Sequence, residues 1–161
     1  MKDSLFFLLL FSFSCSLFYG DIKDKIILSE KEFFSIDFKP LDGDILIYAD
    51  MANGKPLKNP LEIDFSLNEQ SVIIMGWAAD RISMKPASAI YLKVGDYYFK
   101  AEYGLERNDV EKHFGKSELA KTGYKVAVPR AYLALADKIE FILISAEGTG
   151  QYKKRKILSI N

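Results

Sequence analysis

Few residues of this chain are suited to catalysis. His113 is the only histidine and Cys15 the only cysteine among the 161 residues. An activated nucleophile or a structural metal site needs several such side chains held together. Glu106, Asp109 and Glu111 could support glycoside cleavage if two of them flanked a cleft, but helix capping and solvation explain these carboxylates more simply. The sequence therefore predicts no catalytic residues, no metal site and no cofactor.

Four residues are candidates for binding a ligand. Arg107 and Asp109 could form a charged clasp that ties their turn to Asp80, and the same three side chains could instead line a polar pocket at one end of the fold. Structural pinning is the simpler of these two interpretations. The fourth candidate is Tyr98, whose ring could stack on a sugar, and this role is shared by the tyrosines Tyr48, Tyr97 and Tyr152.

Three polar segments could bind ions. Lys153-Lys154-Arg155-Lys156 could attract phosphate groups, lipid headgroups or an acidic glycan, although charges also protect an edge strand from aggregation, which is the favoured role. Asp42-Gly43-Asp44 lacks the ligand spacing of a calcium loop, and Gly148-Thr149-Gly150 lacks the lysine of a phosphate loop. Both are therefore predicted to be turns.

The first twenty residues have the pattern of a secretory signal peptide. Lys2 precedes the apolar run 5–11, and no charged residue follows that run until Asp21. We therefore predict an exported protein, located in the periplasm, the cell envelope or the extracellular space. The expected division of the chain is a signal peptide at 1–20, an N-terminal linker at 21–32 and one domain at 33–161.

Three fates of the signal peptide differ in their consequence. Cleavage is favoured because Ser14 and Ser16 are small, and the cut could also follow Gly20. Lipid attachment at Cys15 is the alternative, and it would make the protein a lipoprotein. A retained anchor is disfavoured because the uncharged stretch is shorter than the roughly 20 apolar residues that span a bilayer. A lipid on Cys15 is thus the only expected link to a membrane.

Composition limits the classes of partner. The chain has 22 basic and 22 acidic residues, so no overall positive field favours nucleic acid. With Cys15 inside the signal peptide, the mature chain can form no internal disulfide bond. A hydrophobic content of 49% is enough for one packed core.

The mature chain mostly alternates apolar and polar residues, which is typical of β-strands with one buried face. Five segments have this pattern: 34–38, 61–67, 97–103, 124–128 and 139–143. Segments 45–48 and 72–77 are apolar throughout, which predicts central strands, and Trp77 is expected to fill the space between two sheets. Gly95-Asp96 predicts a tight hairpin. Eight or nine short strands of this kind indicate a two-layer antiparallel sandwich.

One stretch, 108–121, has helical composition instead. Asn108 can cap a helix with Glu111 reaching back to it, and Gly115 can end that helix. A second short turn is predicted at 117–121. The apolar residues expected to face inward are Val110, Phe114 and Leu119.

Four motifs between residues 76 and 124 resemble a bacterial envelope module that is similar to immunoglobulin-like sandwiches. They are Gly76-Trp77-Ala78-Ala79-Asp80, the segment from Tyr103-Gly104 to Asp109-Val110, Phe114-Gly115 and Gly123-Tyr124. The resemblance extends over about 72–143, with Asn108 where the pattern usually has proline and Thr122 where it often has serine. It implies an all-β, immunoglobulin-like antiparallel β-sandwich with one short helical insertion, and it brings no established activity.

Together these features predict a noncatalytic binding module. Its expected partner is an envelope protein or a glycan, and no nucleic acid is expected. The alternative hypothesis is a carbohydrate-binding module that uses exposed tyrosines.

Overall fold

The computed structural model describes residues 26–58 and 70–160. The predicted signal peptide, Cys15, residues 21–25 of the predicted linker and the alternating segment 61–67 lie outside these ranges.

Two β-sheets form the body of the protein. The first has seven strands among the described residues, in the spatial order β1 (Ile27–Ser29), β8 (Tyr97–Lys100), β7 (Ala89–Val94), β11 (Lys138–Ile144), β12 (Gly150–Tyr152) and β2 (Lys39–Leu41), with β13 (Lys156–Ser159) also paired to β11. The second has six, in the order β4 (Lys55–Pro56), β3 (Leu46–Ala52), β5 (Ser71–Asp80), β10 (Gly123–Pro129) and β9 (Glu102–Leu105), with β6 (Lys85–Pro86) paired to β5. Every pairing is antiparallel except that of β12 with β2, which is parallel.

The helices are short. They are α1 (Glu30–Phe34), α2 (Asn108–Phe114), α3 (Arg130–Leu133) and a 3₁₀ helix at Ser117–Lys121. Within residues 26–58 and 70–160, no helix has the length and apolar character needed to cross a bilayer.

The main core lies between the two sheets. Alternate residues of β5 and β10, such as Ile74 and Val126, pack in one cluster with alternate residues of β7 and β11, such as Leu92 and Phe141. All four of these side chains are buried, and burial of such apolar surface is the main force that holds the two layers together. The prediction of an all-β sandwich with a short helix is therefore confirmed.

Strand β5 is covered on both faces near its end, but Trp77 is not where the sequence predicts it. Ala78 faces the main core, whereas Ala79 packs in a second cluster with Val110 and Leu119. Trp77 is half-buried and belongs to this second cluster, on the outer face of the sheet. The prediction that it fills the space between the sheets is wrong because side chains alternate across a strand, and Ala78 takes the inward position.

The helical insertion supplies the cover for that outer face. α2 ends at Gly115, which has a left-handed conformation at φ 64°, and the 3₁₀ helix follows, both as predicted. Val110 and Leu119 are buried, and Phe114 is partly buried beside them. The predicted capping box is absent, because Arg107 rather than Asn108 occupies the N-cap position and makes no side-chain cap.

The N-terminal segment differs from its prediction. Alternation at 34–38 indicates a strand, but the structure has α1 ending at Phe34, and the segment 27–29 of the predicted linker is strand β1, paired with β8. Ser29 explains the helix. Its hydroxyl accepts a hydrogen bond from the amide of Glu32, and the Glu32 carboxylate accepts one from the amide of Ser29. Phe33 is thereby buried against β8.

The segment 97–103 is predicted as one strand but forms two. β7 and β8 meet at the predicted Gly95-Asp96 turn, with Gly95 at φ 58°. The chain then leaves the first sheet at Ala101 and continues as β9 in the second sheet. One alternating segment therefore joins the two layers.

Candidate functional site

The predicted clasp between Arg107 and Asp109 is present. Nε and Nη2 of Arg107 donate to the two carboxylate oxygens of Asp109, at 2.8 and 2.7 Å. This forked geometry is the strong form of an arginine–carboxylate pair. The hydrogen bonds from Arg107 lower the pKa of Asp109 to about 2, and the same bonds raise the pKa of Arg107 above its ordinary value. Both groups are therefore charged at neutral pH.

The clasp reaches a different third partner from the one predicted. Nη1 of Arg107 donates to Asp50 of β3 at 2.6 Å, whereas the hydrogen bonds of Asp80 go to other groups. Gly123 explains this path. A Cβ there would lie 3.0 Å from Cγ of Arg107, so the missing side chain leaves room for the arginine stem to cross β10. A bulge between Ala49 and Met51 places Asp50 at the end of that path.

Asp80 is instead buried at the centre of a separate hydrogen-bond network. Its Oδ1 accepts from the hydroxyl of Tyr152 at 2.7 Å and from the amides of Ile82 and Ser83 at 2.9 and 3.1 Å. Its Oδ2 accepts from the amide of Ala146 at 2.8 Å. Burial opposes the charge, but these hydrogen bonds outweigh it and lower the pKa of Asp80. Because Tyr152 and Ala146 belong to the first sheet and its hairpin, Asp80 links the two layers.

Three aromatic residues, Tyr48, Trp77 and Phe114, form what we call the outer aromatic cluster. The rings of Tyr48 and Trp77 stack with centroids 4.8 Å apart and an interplanar angle of 16°. Phe114 of α2 meets Trp77 edge-on at 5.7 Å. Tyr48 is 51% exposed, so a rigidly supported aromatic ring is presented to solvent.

The half-exposed surface continues beyond the outer aromatic cluster. Tyr48 pairs in register with Trp77, and Met51 pairs with Met75 farther along the same two strands. Met51 and Met75 are both half-buried. The outer face of the second sheet therefore combines aromatic and thioether groups with the charged clasp, because Arg107 lies close to β10 beside this face.

The other candidate tyrosines differ in exposure. Tyr98 is 2% exposed, with its ring stacked on Phe33 at 4.0 Å and the ammonium of Lys93 5.4 Å from its centroid. Tyr152 is fully buried and donates to Asp80. Tyr97 remains 42% exposed and meets Tyr132 edge-on. A sugar can therefore stack on the exposed rings of Tyr48 or Tyr97 without any change in the fold. The rings of Tyr98 and Tyr152 are buried and cannot be reached.

A hydrogen bond across β5 fixes the backbone under Tyr48. The hydroxyl of Tyr124, on β10, donates to the carbonyl of Tyr48, on β3, at 3.0 Å. This hydrogen bond passes beside Gly76. A Cβ on Gly76 would overlap the Tyr48 carbonyl oxygen and lie 2.8 Å from Oη of Tyr124. Glycine is therefore required there for a close approach, and burial raises the pKa of Tyr124 so that the hydroxyl keeps its proton.

The predicted turn at Asp42-Gly43-Asp44 lies beside the basic segment. Lys153 pairs with Asp42 at 2.9 Å, and Lys154 pairs with Asp44. Arg155 is half-buried and donates to the main-chain carbonyls of Tyr152 and Lys154. The basic segment thus divides into exposed ion-paired lysines and one arginine that is directed toward the protein.

The remaining chemical candidates have simple surroundings. The carboxylate of Glu106 pairs with Lys121 at 3.1 Å, and the His113 ring meets Phe114 edge-on at 4.8 Å. Within the two described ranges, no three metal-ligating side chains come together.

Asp50 is the site residue that the sequence does not predict. It is 57 positions from Arg107, and only the bulge in β3 brings it into reach.

No family model, no curated protein and no solved structure matches this chain.

Proposed function

We propose that this chain is an exported, noncatalytic binding module of the cell envelope whose recognition surface is the outer face of the second sheet. The observation that carries the proposal is the half-exposed ring of Tyr48, stacked on Trp77 beside the Arg107 clasp. Aromatic residues and arginine are enriched at protein recognition sites because they bury much surface with little loss of conformational freedom.

The support around Tyr48 favours recognition over a purely structural role. Its ring gains stacking on Trp77, while its carbonyl is held by Tyr124 through the gap at Gly76. A surface held in one conformation before binding loses less entropy when a partner arrives. The ring that remains exposed is thus ready to contact a partner without rearrangement.

The test is saturable binding of the purified mature protein to cell-envelope preparations of the native host. We expect Tyr48→Ala to weaken binding about tenfold, as loss of one central aromatic contact does. Tyr97→Ala is the matched control, because Tyr97 is similarly exposed but lies on the first sheet. Equal binding by wild type, Tyr48→Ala and Tyr97→Ala would contradict the proposed surface.

The alternative partner is a glycan, which the same ring could contact by stacking. A glycan array separates the two partner classes: binding that disappears with Tyr48→Ala assigns a sugar ligand. A flat array, together with loss of envelope binding after protease treatment of the envelope, assigns a protein partner.

Export is tested by the intact mass of the native protein in soluble and membrane fractions. Loss of the signal peptide in the soluble fraction supports secretion, and a lipid-sized mass increase on Cys15 supports anchoring. A protein that retains residues 1–20 and remains in the cytoplasm would contradict the proposal.

A further inference from the structure

A second site lies on the opposite layer, where the N-terminal segment meets the C-terminal basic segment. A pocket of about 400 Å³ opens between residues 33–38, which are the end of α1 and the chain that follows it, and the chain leaving β12. This volume is within the range of pockets that hold small organic ligands. None of its lining residues belongs to the outer aromatic cluster or to the Arg107 clasp.

One wall of the pocket is aromatic and well supported. Phe33 is 1% exposed and is stacked on Tyr98, and Phe34 and Phe38 lie 6.0 and 5.9 Å from it between ring centroids. Phe34 is nevertheless 67% exposed. An aromatic side chain that stays so accessible beside a buried aromatic anchor offers apolar contact to a ligand.

The other wall is basic. Arg155 and Lys153 both line the pocket, and exposed Asp37 is the only acidic lining residue. The hydrogen bonds of Arg155 go to main-chain carbonyls, and among the described residues no carboxylate lies within ion-pair distance of its guanidinium. Glu140 attracts it from β11 but pairs with Lys138 at 2.8 Å.

The positive charge of this half-buried guanidinium is only partly balanced by negative charge nearby. Burial lowers the pKa of Arg155, and the attraction of Glu140 opposes that effect only in part. A guanidinium binds carboxylate or phosphate through two parallel hydrogen bonds, and an anion delivered to the pocket would supply the missing counter-charge.

We propose that this pocket binds an organic anion, a carboxylate or phosphate carried on an apolar or aromatic body, with the anion on Arg155 and the body against Phe34 and Phe38. Lys153 lines the pocket but is paired with Asp42, so Arg155 is the group that binds the anion. Asp37 can accept a hydrogen bond from a hydroxyl or ammonium group of the ligand. The site is separate from the outer face of the second sheet, so either proposal can fail while the other stands.

The experiment is calorimetric or NMR titration of the mature protein with phenyl phosphate, benzoate, inorganic phosphate and benzyl alcohol. Phenyl phosphate or benzoate is expected to bind saturably and about tenfold more tightly than inorganic phosphate or benzyl alcohol, because only the former satisfy both walls. No saturable binding of either aromatic anion up to about 10 mM would overturn the proposal.

Variants test the two walls separately. Arg155→Gln is expected to weaken binding of the aromatic anion about tenfold, and Lys154→Gln, which removes the same charge from an exposed neighbour paired with Asp44, to change it by less than about twofold. Phe34→Ser changes an exposed residue, so it should fold normally and still weaken binding. Equal losses in Arg155→Gln and Lys154→Gln would indicate unspecific attraction and overturn the proposal.

Vesicles identify the natural source of the anion. If the anion is a lipid headgroup, phosphatidylglycerol vesicles compete with the aromatic anion while phosphatidylcholine vesicles do not. If it is a free molecule, neither vesicle competes. Both results support the pocket, and they distinguish a lipid headgroup from a free molecule as the source of its anion.

Discussion

Asp80→Asn is expected to destabilise the protein by about 3 kcal/mol, because it removes the charge of a buried carboxylate that accepts four hydrogen bonds. Asp80 is 4% exposed, and no side-chain nitrogen or oxygen buried in the described chain is left without a partner. Oδ1 accepts from three donors, including the hydroxyl of Tyr152, and Oδ2 accepts from the amide of Ala146. The network joins the end of β5 to β12 and its hairpin.

The magnitude follows from what asparagine can replace. Its one oxygen can still face the three donors at Oδ1, but its NH₂ group then faces the amide of Ala146, donor against donor. The half-buried amide of Ala146 loses its acceptor, which costs about 1–3 kcal/mol, and the other hydrogen bonds fall from charge-assisted to neutral strength. Tyr152→Phe removes a single donor from the same network and is expected to cost about 1–2 kcal/mol.

The pH dependence has a definite sign. Hydrogen bonding outweighs burial and lowers the pKa of Asp80 in the folded protein below its unfolded value of about 3.9. Its contribution to stability is therefore fully present above the unfolded pKa and is lost as the pH falls through the folded pKa. The difference in unfolding free energy between wild type and Asp80→Asn should be constant from neutral pH to about 5 and shrink below about 4.

Urea unfolding followed by tryptophan fluorescence measures these values, with Asp137→Asn as a control that removes an exposed carboxylate. The control should stay within about 0.5 kcal/mol of wild type. If Asp80→Asn matched the control at neutral pH, or if its deficit grew as the pH fell, the assignment of Asp80 as a charged structural centre would be wrong.

Three further predictions concern the surroundings of the outer aromatic cluster and α1. Gly76→Ala should lower the free energy of unfolding in urea by at least about 3 kcal/mol, since the new Cβ overlaps the carbonyl of Tyr48. Gly104→Ala, at φ 95° in open space, should lower it by about 1 kcal/mol, and equal losses would refute the steric argument. Tyr48→Ala should shift the emission of Trp77, the only tryptophan, to longer wavelength because it uncovers the indole; unchanged emission would contradict the stacking. Ser29→Ala should cost about 1 kcal/mol by removing the cap of α1, and no change in unfolding free energy would mean that the capping box contributes nothing.

The sequence predicts where the strands lie better than it predicts which side of each strand faces the core. Alternation locates β10 and β11, and the Gly95-Asp96 signal locates the hairpin, because these patterns depend on neighbouring residues alone. The position of Trp77 cannot be obtained in this way. In the uniformly apolar segment 72–77, either face of the strand fits the pattern equally well. The faces are decided by tertiary packing, against the first sheet on one side and against α2 and the 3₁₀ helix on the other.

Local signals also compete with one another. The segment 34–38 alternates as a strand does, but Ser29 and Glu32 form a capping box a few residues earlier, and the helix it starts extends to Phe34. That Ser-x-x-Glu spacing was available in the sequence and would have predicted α1. By contrast, α3 at Arg130–Leu133 has no side-chain cap, and a four-residue helix leaves almost no periodic signal.

In the candidate site too, contacts between residues close in sequence are predictable and contacts between distant residues are not. Arg107 and Asp109 are two residues apart, so their pairing follows from spacing, and the structure has it. Their link to Asp50 depends on a bulge in a strand 57 residues away, which no local pattern encodes. The partners of Asp80 are equally remote, since Tyr152 lies 72 residues farther along the chain.

The two glycines of the site share one structural purpose. Gly76 has the inward parity of Ile74 and Ala78, and its missing side chain lets the hydroxyl of Tyr124 reach the carbonyl of Tyr48. Gly123 is paired with the outward-facing Trp77, and it lets Arg107 cross to Asp50.

Both crossings end on residues 48–50 of β3, one from each face of the second sheet. Gly76 and Gly123, with the side chains that pass them, therefore hold the strand that presents Tyr48. Tyr124 does so from the inner face, and Arg107 does so from the outer face, where it is part of the proposed surface. It follows that variants of Gly76 or Tyr124 should act on stability and on the position of β3, whereas the choice of partner depends on the outer aromatic cluster and on the Arg107 clasp beside it.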